Sequence, residues 1–335
     1  MDNLVENKQL KGVSQKAFEL LLGSQPEWLK ENKRHAWETF NNLSQDKARK
    51  EKFKDVIDSL EIENKSLNNQ LSEPDSIADF SSQWGDISGS YVTNGTHNFL
   101  DQELAKKGVL LKSLKSALVE NEAIVKPYLT KSNLTSRDSR FTSLAEAMWE
   151  DGVLLYIPKD LEISLPIHLL KWTNQGGNQN YYKTLVIVES GSILTLIDEY
   201  NSVNTDDFFM VNGINEIYVK DNAKVTYLHL QNFDYNAFNF SLQKATLGKN
   251  AELRLLSVSI GSQFSYENIR TYMEQSGSFA ELLGLVVADD EQVFQHETLQ
   301  YHPEPAAVSD LHFEVMLKGK AESAHNGFVH IEKKA

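Results

Sequence analysis

The stretch ATLGKNAELRLLSVSIG, residues 245–261, contains two strand-like segments joined by a short turn. Polar and apolar residues alternate from Glu252 onward, which is the period of a β-strand and not that of a helix. The pattern therefore predicts a strand in which Leu253 and Leu255 face the interior, while Glu252 and Arg254 face solvent.

The same kind of turn recurs along the second half of the chain, with successive turns 31, 28 and 27 residues apart. Regular spacing of one turn indicates a coil whose turns stack on one another, because each turn alone cannot bury its apolar face. This length suits a right-handed parallel β-helix, whereas a left-handed hexapeptide helix needs an apolar residue at every sixth position. An antiparallel sandwich with evenly spaced hairpins gives a similar pattern, so the pattern alone leaves both folds open. The turns are Gly191-Ser192, Asn222-Ala223, Asn250-Ala251 and Gly277-Ser278.

Composition excludes several classes of function. The 335 residues include 33 Lys and Arg and 47 Asp and Glu, for a net charge of -14, which is unsuited to a phosphate backbone or an anionic membrane surface. The chain has no cysteine, which excludes disulfides and thiolate metal sites. It also shows no secretory signal and no apolar run long enough to span a membrane. These features predict a cytoplasmic protein with neither nucleic-acid nor membrane partners.

The first half has mainly helical periodicity, with apolar stripes over Ser14 to Leu22, Trp28 to Leu43 and Gln45 to Leu60. The region after it is rich in Asn, Ser, Asp and Gly and lacks a period. We therefore predict an N-terminal helical region at 1–60, a linker or mobile loop at 61–97, a helical segment leading into the core at 98–151, and a β-helix core at 152–335 that is incomplete at its C-terminal end.

The junction between helices and strands carries a specific motif. Residues 103–129 read ELAKKGVLLKSLKSALVENEAIVKPYL, and residues 141–167 read FTSLAEAMWEDGVLLYIPKDLEISLPI. These segments resemble the opening of the core of the SufB/SufD family of iron–sulfur cluster assembly proteins, which has the patterns KGV, ALxE, VKxYL and FxxLxxAxWxxGxxxYVPK. The matching positions are Lys107, Gly108, Val109, Ala117, Leu118, Val125, Lys126, Tyr128, Leu129, Phe141, Leu144, Ala147, Trp149, Gly152, Tyr156, Ile157, Pro158, Lys159 and Pro166.

Two further segments agree with this resemblance. Pro26, Trp28 and Ala36 resemble a helix opening of SufD-type members, with Lys33 in place of the usual Arg. Near the end, Leu311-His312, Lys318 to Ala321 and Asn326-Gly327 resemble a turn of the family's β-helix, although His325 replaces its usual Phe. The helix opening and the absence of cysteine favour a SufD-type member over a SufB-type one.

The resemblance implies a scaffold and not an enzyme. It implies pairing with SufB through the β-helix and docking of the ATPase SufC on C-terminal helices, with an iron–sulfur cluster assembled transiently at the interface with SufB and no cofactor bound by this chain alone. The family's interface His and its SufC-docking helices are expected beyond residue 335, so we carry over no catalytic residue. We expect a partner interface on the last turn, which in isolation would support a homodimer. Its predicted residues are Leu317, Ala321, His325 and Phe328.

Two residue clusters suggest other chemistry. Five of the nine histidines lie between His296 and His330, and His325 and His330 are weak candidates for metal ligands. Their odd separation places them on opposite faces of one strand, which argues against a shared metal site. The acidic clusters Asp206-Asp207 and 289–291 raise the alternative of a carbohydrate-acting β-helix enzyme, but both occur at predicted turns.

Overall fold

The computed structural model describes residues 13–42, 85–93, 97–130, 140–173, 179–202, 204, 206 and 208–335. The predicted helix from Gln45 to Leu60 and residues 61–84 of the predicted linker lie outside these ranges. None of the helices within them is long and apolar enough to cross a membrane.

The second half of the chain is a parallel β-solenoid of about six turns. Its strands belong to two eight-stranded sheets, which we call the odd sheet and the even sheet after the numbers of their strands from β4 onward. From β4 onward consecutive strands alternate between the sheets, so each turn of the solenoid adds one strand to each. All pairings are parallel except β1 with β2 and β3 with β4. This topology confirms the predicted parallel β-helix with its N-terminal helical region and excludes an antiparallel sandwich.

The strand bounds show that the solenoid turns have nearly equal length. The odd sheet has β2 (His97–Leu100) at one edge, next to β1 (Gly89–Val92). Its other strands are β5 (Ile167–Thr173), β7 (Ile193–Ser202), β9 (Lys224–Phe233), β11 (Glu252–Gly261), β13 (Phe279–Ala288) and β15 (Val308–Leu317). The even sheet contains β3 (Leu110–Ser113), β4 (Gly152–Ile157), β6 (Gln179–Val188), β8 (Phe209–Val219), β10 (Ala237–Leu247), β12 (Phe264–Tyr272), β14 (Val293–His302) and β16 (Glu322–Ile331).

The predicted turns form one stacked column where even strands lead into odd strands. Asn222 and Asn250 have φ of 58° and 52°, in the left-handed region that Asn tolerates better than most residues. The Asn250 side-chain amide donates a hydrogen bond of 3.2 Å to the Asn222 side-chain oxygen. At Gly191, φ is 75° and an added Cβ would lie 2.3 Å from the Asp160 carboxylate. Positive φ and close stacking therefore explain why these positions carry Asn or Gly.

The N-terminal helical region contacts the outer face of the even sheet mainly through α6 (Arg140–Met148). The other helices described in this region are α1 (Gln15–Gly23), α2 (Glu27–Asn42), α3 (Gln102–Lys106), α4 (Leu114–Glu120) and α5 (Glu122–Leu129). Phe141 of α6 stacks on Phe240 of β10, with ring centroids 3.6 Å apart. Lys183 on β6 lies between Glu146 of α6 at 2.7 Å and Glu216 of β8 at 2.8 Å. An aromatic stack and buried ion pairs thus hold α6 on the sheet.

Lys33, which stands where the family pattern has Arg, joins α2 to the end of α6. Its ammonium donates hydrogen bonds to the backbone carbonyls of Glu146, Ala147 and Trp149, the last at 2.7 Å. It also lies 4.0 Å from the centroid of the Trp149 ring. Burial lowers the pKa of Lys33 to about 7. The side chain therefore caps a helix C-terminus, where a cation interacts favourably with the carbonyl groups.

The predicted linker includes a strand that the sequence pattern did not indicate. Residues 89–92 form β1, which pairs in parallel with β5 and antiparallel with β2. Tyr91 is buried in the main core cluster. A strand of four residues is too short for alternation to stand out in a polar segment, which is why periodicity did not reveal it.

Candidate functional site

The four predicted interface residues lie on or beside the last turn of the solenoid, formed by β15 and β16. Each of these strands pairs with one neighbour, β13 or β14. Leu317 and Phe328 are 48% and 59% exposed. Ala321 lies in the connecting turn and packs against a small cluster that includes Val286 and Phe294. Leu317 and Phe328 are therefore the two predicted interface residues whose apolar side chains are exposed on β15 and β16.

The structure does not bring together the two predicted metal candidates. His325 points toward the inside of the solenoid, where it stacks on Phe313 with centroids 4.4 Å apart and lies 3.2 Å from the Thr298 hydroxyl. His330 lies on the outer side and contacts Glu332 at 3.2 Å. Within the described ranges, no group of three His, Asp or Glu side chains is arranged to hold a metal ion.

The acidic clusters do not form a row of carboxylates along one groove of the described structure. Asp290 is in a turn with φ of 50°, and Glu291 pairs with Lys320 at 2.8 Å. Asp206 lies between β7 and β8, while Asp207 is outside the described residues. Turn positions and an exposed ion pair account for the 289–291 cluster, so the carbohydrate-acting alternative is not favoured.

The inside of the solenoid, which we call the lumen, holds a group of charged residues that sequence analysis missed. One side of the lumen is apolar, but further along the same strands the inward positions carry ionisable side chains. Each of them is at most 1% exposed. We call these five residues the lumen ladder: Lys171, Asp198, His229, Glu267 and His296.

The ladder is connected by ion pairs and hydrogen bonds from one turn to the next. The Lys171 ammonium donates a hydrogen bond to the Asp198 carboxylate. His229 lies between two carboxylates, with Nδ1 3.9 Å from Asp198 Oδ2 and Nε2 3.7 Å from Glu267 Oε1. His296 Nε2 lies 3.7 Å from Glu267 Oε2. The ladder therefore alternates basic and acidic groups along the lumen.

These contacts shift the ionisation of the ladder. Burial raises the pKa of Glu267, but the hydrogen bond and charge of His229 and the charge of His296 outweigh burial and bring this pKa to about 2. Burial lowers the pKa of His296, and Glu267 opposes that effect. Burial also lowers the pKa of Lys171 well below its ordinary value. Continuing the alternation along each strand, for example from Val225 to His229, would have placed these positions inside, but their polarity suggests the solvent side.

Comparison with known proteins covers nearly the whole chain. Residues 5–169 match the SufBD protein N-terminal region, and residues 171–335 match the SufBD core domain of the SUF system for FeS cluster assembly. Curated relatives include iron–sulfur cluster assembly SufBD family proteins of Staphylococcus saprophyticus and Staphylococcus haemolyticus, each 23% identical over 249 residues, and one of Staphylococcus aureus that is 24% identical.

These alignments cover 74% of this chain and 53% of each relative, so the chain spans about half the length of the curated relatives it matches. The two family matches meet near residue 170, close to the start of the regular solenoid turns. Together with the parallel solenoid and its N-terminal helices, they show that the chain belongs to the SufBD family of iron–sulfur cluster assembly proteins.

Proposed function

We propose that this chain is a non-enzymatic, SufD-type scaffold subunit of a cytoplasmic SufBCD-type complex. The single observation that supports the proposal best is that the two SufBD family matches account for residues 5–169 and 171–335. The SufD-type assignment rests on the resemblance of the Pro26 to Ala36 helix and on the absence of cysteine. In this role the chain supplies a rigid surface, and the iron–sulfur cluster forms transiently at the interface with SufB.

The partner surface in this proposal is the last solenoid turn. Leu317 and Phe328 are apolar and exposed there. Exposed apolar side chains of this kind often mark surfaces that contact another protein. SufB is the proposed occupant, and a second copy of this chain can use the same surface when SufB is absent.

Co-purification tests the proposal. The 335-residue chain is co-expressed with SufB and SufC from one organism, and the retained subunits are quantified. We expect SufB to be retained, and we expect Phe328→Asp to reduce that retention strongly because a charge enters an apolar contact. The matched control is Leu20→Asp on α1, which alters a side chain that is 71% exposed and lies outside the last turn. Equal retention by both variants, or none by the unaltered chain, contradicts the proposal.

Cluster reconstitution tests the non-enzymatic, cofactor-free part of the proposal. Thiolates are the usual ligands of iron–sulfur clusters, and the chain has no cysteine. We therefore expect anaerobic reconstitution of the isolated chain to yield no chromophore that survives gel filtration. The same treatment of the chain with SufB should yield one, and a stable chromophore on the isolated chain contradicts this expectation.

A further inference from the structure

The outer face of the odd sheet carries two adjacent rows of aliphatic side chains. The parallel register aligns these outward positions across β9, β11 and β13. All of them are partly exposed, and Leu256 and Leu283 are 37% and 36% exposed. Ile260 and Val287 continue the block in a third row. We call the two complete rows the aliphatic patch, which consists of Leu228, Leu230, Leu256, Val258, Leu283 and Leu285.

The aliphatic patch differs from a strand face that is simply solvated. Alternation in a half-exposed strand places polar residues on the solvent side, as Arg254 and Glu281 are placed earlier on β11 and β13. Single exposed aliphatic side chains are common on protein surfaces and need no explanation. A contiguous group with polar residues around it instead marks a surface that contacts another molecule.

The even sheet shows how an apolar outer face is covered in this molecule. There Phe141 of α6 stacks on Phe240, and Ala145 of the same helix packs with Ile214 and Leu242. Among the described residues, the helices that pack closely on the solenoid all lie against strands of the even sheet. The aliphatic patch is therefore a comparable apolar face on the odd sheet that no described helix covers.

Strand pairing and dimensions favour a helix as the occupant of the patch. Because β11 pairs with both β9 and β13, its backbone groups are not free to add a further strand. Three strands about 4.8 Å apart make the patch about 10 Å wide, close to the diameter of about 10–12 Å of an α-helix. An amphipathic helix carries aliphatic residues along one side and can cover such a surface.

The charge beside the patch indicates which helix fits. Asp310 and Glu314 are exposed on β15, the strand next to β13. Within the described ranges neither carboxylate pairs with Lys or Arg, and Glu314 contacts His312. The outward basic residues of β9 and β11, Lys224 and Arg254, already pair with carboxylates. The border of the patch at β15 is therefore acidic and complements a helix with Lys or Arg along its flank.

We propose that the aliphatic patch is a docking surface for an amphipathic α-helix of a partner protein, with aliphatic residues on the docked side and Lys or Arg on the flank that faces β15. This inference goes beyond the proposed function, because the patch does not include Leu317 or Phe328 of the last turn. Burial of apolar surface supplies the affinity, and the acidic border orients the helix. The docked helix completes the odd sheet as α6 completes the even sheet.

Fluorescence anisotropy with labelled designed peptides tests the docking surface. The probe is an amphipathic helical peptide with leucine on one side and lysine on the other. One comparison peptide replaces lysine with glutamate, and another has the same composition in scrambled order. We expect the 335-residue chain to bind the leucine–lysine peptide saturably and the glutamate peptide at least about tenfold more weakly, because like charges meet at β15. The scrambled peptide should show no saturable binding.

Paired substitutions locate the binding. Leu256→Thr with Leu283→Thr removes apolar surface from the patch and keeps residues that favour strands. We expect this double variant to bind the leucine–lysine peptide at least about tenfold more weakly, since the lost contacts are apolar. The matched control is Leu20→Thr with Val119→Thr, which removes two exposed apolar side chains from α1 and α4. The control should bind the peptide as tightly as the unaltered chain does.

Further variants distinguish the outcomes. Asp310→Asn with Glu314→Gln should reduce the preference for the lysine peptide over the glutamate peptide by about threefold or more. Equal binding by the Leu256 and Leu283 double variant and its control, or no saturable binding by the unaltered chain, overturns the proposal. Self-association that this double variant abolishes in sedimentation overturns it in favour of a second copy of the chain.

Retention of SufB by the same double variant separates this proposal from the proposed function. We expect retention equal to that of the unaltered chain, because the patch and the last-turn surface carry different side chains. A loss of SufB together with the peptide overturns the inference, since the patch then belongs to the SufB surface. Failure of the unaltered chain to retain SufB contradicts the proposed function and leaves the peptide result to stand or fall by itself.

Discussion

The two sides of the solenoid lumen are built from the same strands but from opposite chemistry. Near the column of Asn and Gly turns, β9 turns Val225 inward and β11 turns Leu253 inward, and both are buried in the main apolar cluster. Four residues after Val225, the same strand turns His229 inward. The apolar side gains stability from burial alone, whereas the polar side gains it only when each buried group has its partner.

This difference predicts which side tolerates change. Apolar packing degrades gradually as atoms are removed, because the cost follows the volume of the cavity that remains. A buried ionic network fails more abruptly, because removing one partner leaves the other charged and desolvated. The following substitutions test this contrast, beginning with the one expected to have the largest effect.

The largest expected effect is at Asp198, whose replacement leaves the buried Lys171 amino group without its carboxylate partner. We expect Asp198→Asn to lower the free energy of unfolding by about 3–5 kcal/mol, measured by urea unfolding. The double variant Lys171→Met with Asp198→Leu removes both charges and replaces them with apolar side chains. It should recover most of the loss, because such replacements are often neutral. A double variant as unstable as the single one would show that charge pairing is not the cause.

On the apolar side, Leu253→Ala should lower the free energy of unfolding by about 2–5 kcal/mol, because Leu253 is fully buried and its loss leaves a cavity. This loss should be the same from pH 6 to pH 9, because the substitution removes no ionisable group. Leu256→Ala is the matched control on the same strand, since Leu256 is 37% exposed on the outer face. A pH-dependent loss at Leu253 would contradict the separation of the two sides.

A smaller effect is expected at the turn column, which borders the apolar side. Asn250 has φ of 52°, so Asn250→Ala should cost about 1–2 kcal/mol for holding alanine in the left-handed region. Asn250→Gly relieves that backbone strain and loses only the hydrogen bond to Asn222. We expect the glycine variant to have the higher melting temperature of the two, and the reverse order would show that side-chain contacts dominate this turn.

The sequence predicted one side of the lumen and not the other, for a physical reason. Alternation predicted correctly that Leu253 and Leu255 are buried while Arg254 is exposed, because hydrophobicity and side-chain direction agree there. At His229 and Glu267 hydrophobicity and side-chain direction disagree, since these polar residues occupy inward positions and their partners come from other turns. Contacts between residues about 30 or more positions apart are set by the stacking register, which a single strand pattern does not contain.

The candidate site shows a similar division. The odd spacing of His325 and His330 correctly predicted that they face opposite sides of one strand. The stacking of His325 on Phe313 could not be predicted, because Phe313 is on the other strand of that turn, whereas the Glu332 partner of His330 is only two residues away. The four interface residues remain predictions that the proposed co-purification tests. Local alternation therefore predicts which way each side chain faces, whereas most of its contacts depend on the pairing between turns.

The smallest effect is expected on the outer face of the odd sheet. Arg254 pairs with Glu281 at 3.5 Å and is 61% exposed, so water and salt screen the pair. We expect Arg254→Ala to change the free energy of unfolding by less than about 1 kcal/mol, and that change should shrink further in 1 M salt. Lys224→Ala, which removes the neighbouring Lys224–Glu252 pair of 2.7 Å, serves as the matched control and should behave in the same way. Both measurements use urea unfolding at low and high salt.

Because the Asp198→Asn variant also breaks one ion pair, the ratio of the two losses measures how much burial magnifies the loss of a charge partner. A loss at Arg254 equal to that at Asp198 would mean that the outer face constrains the solenoid as strongly as the lumen does, and the contrast between them would fail.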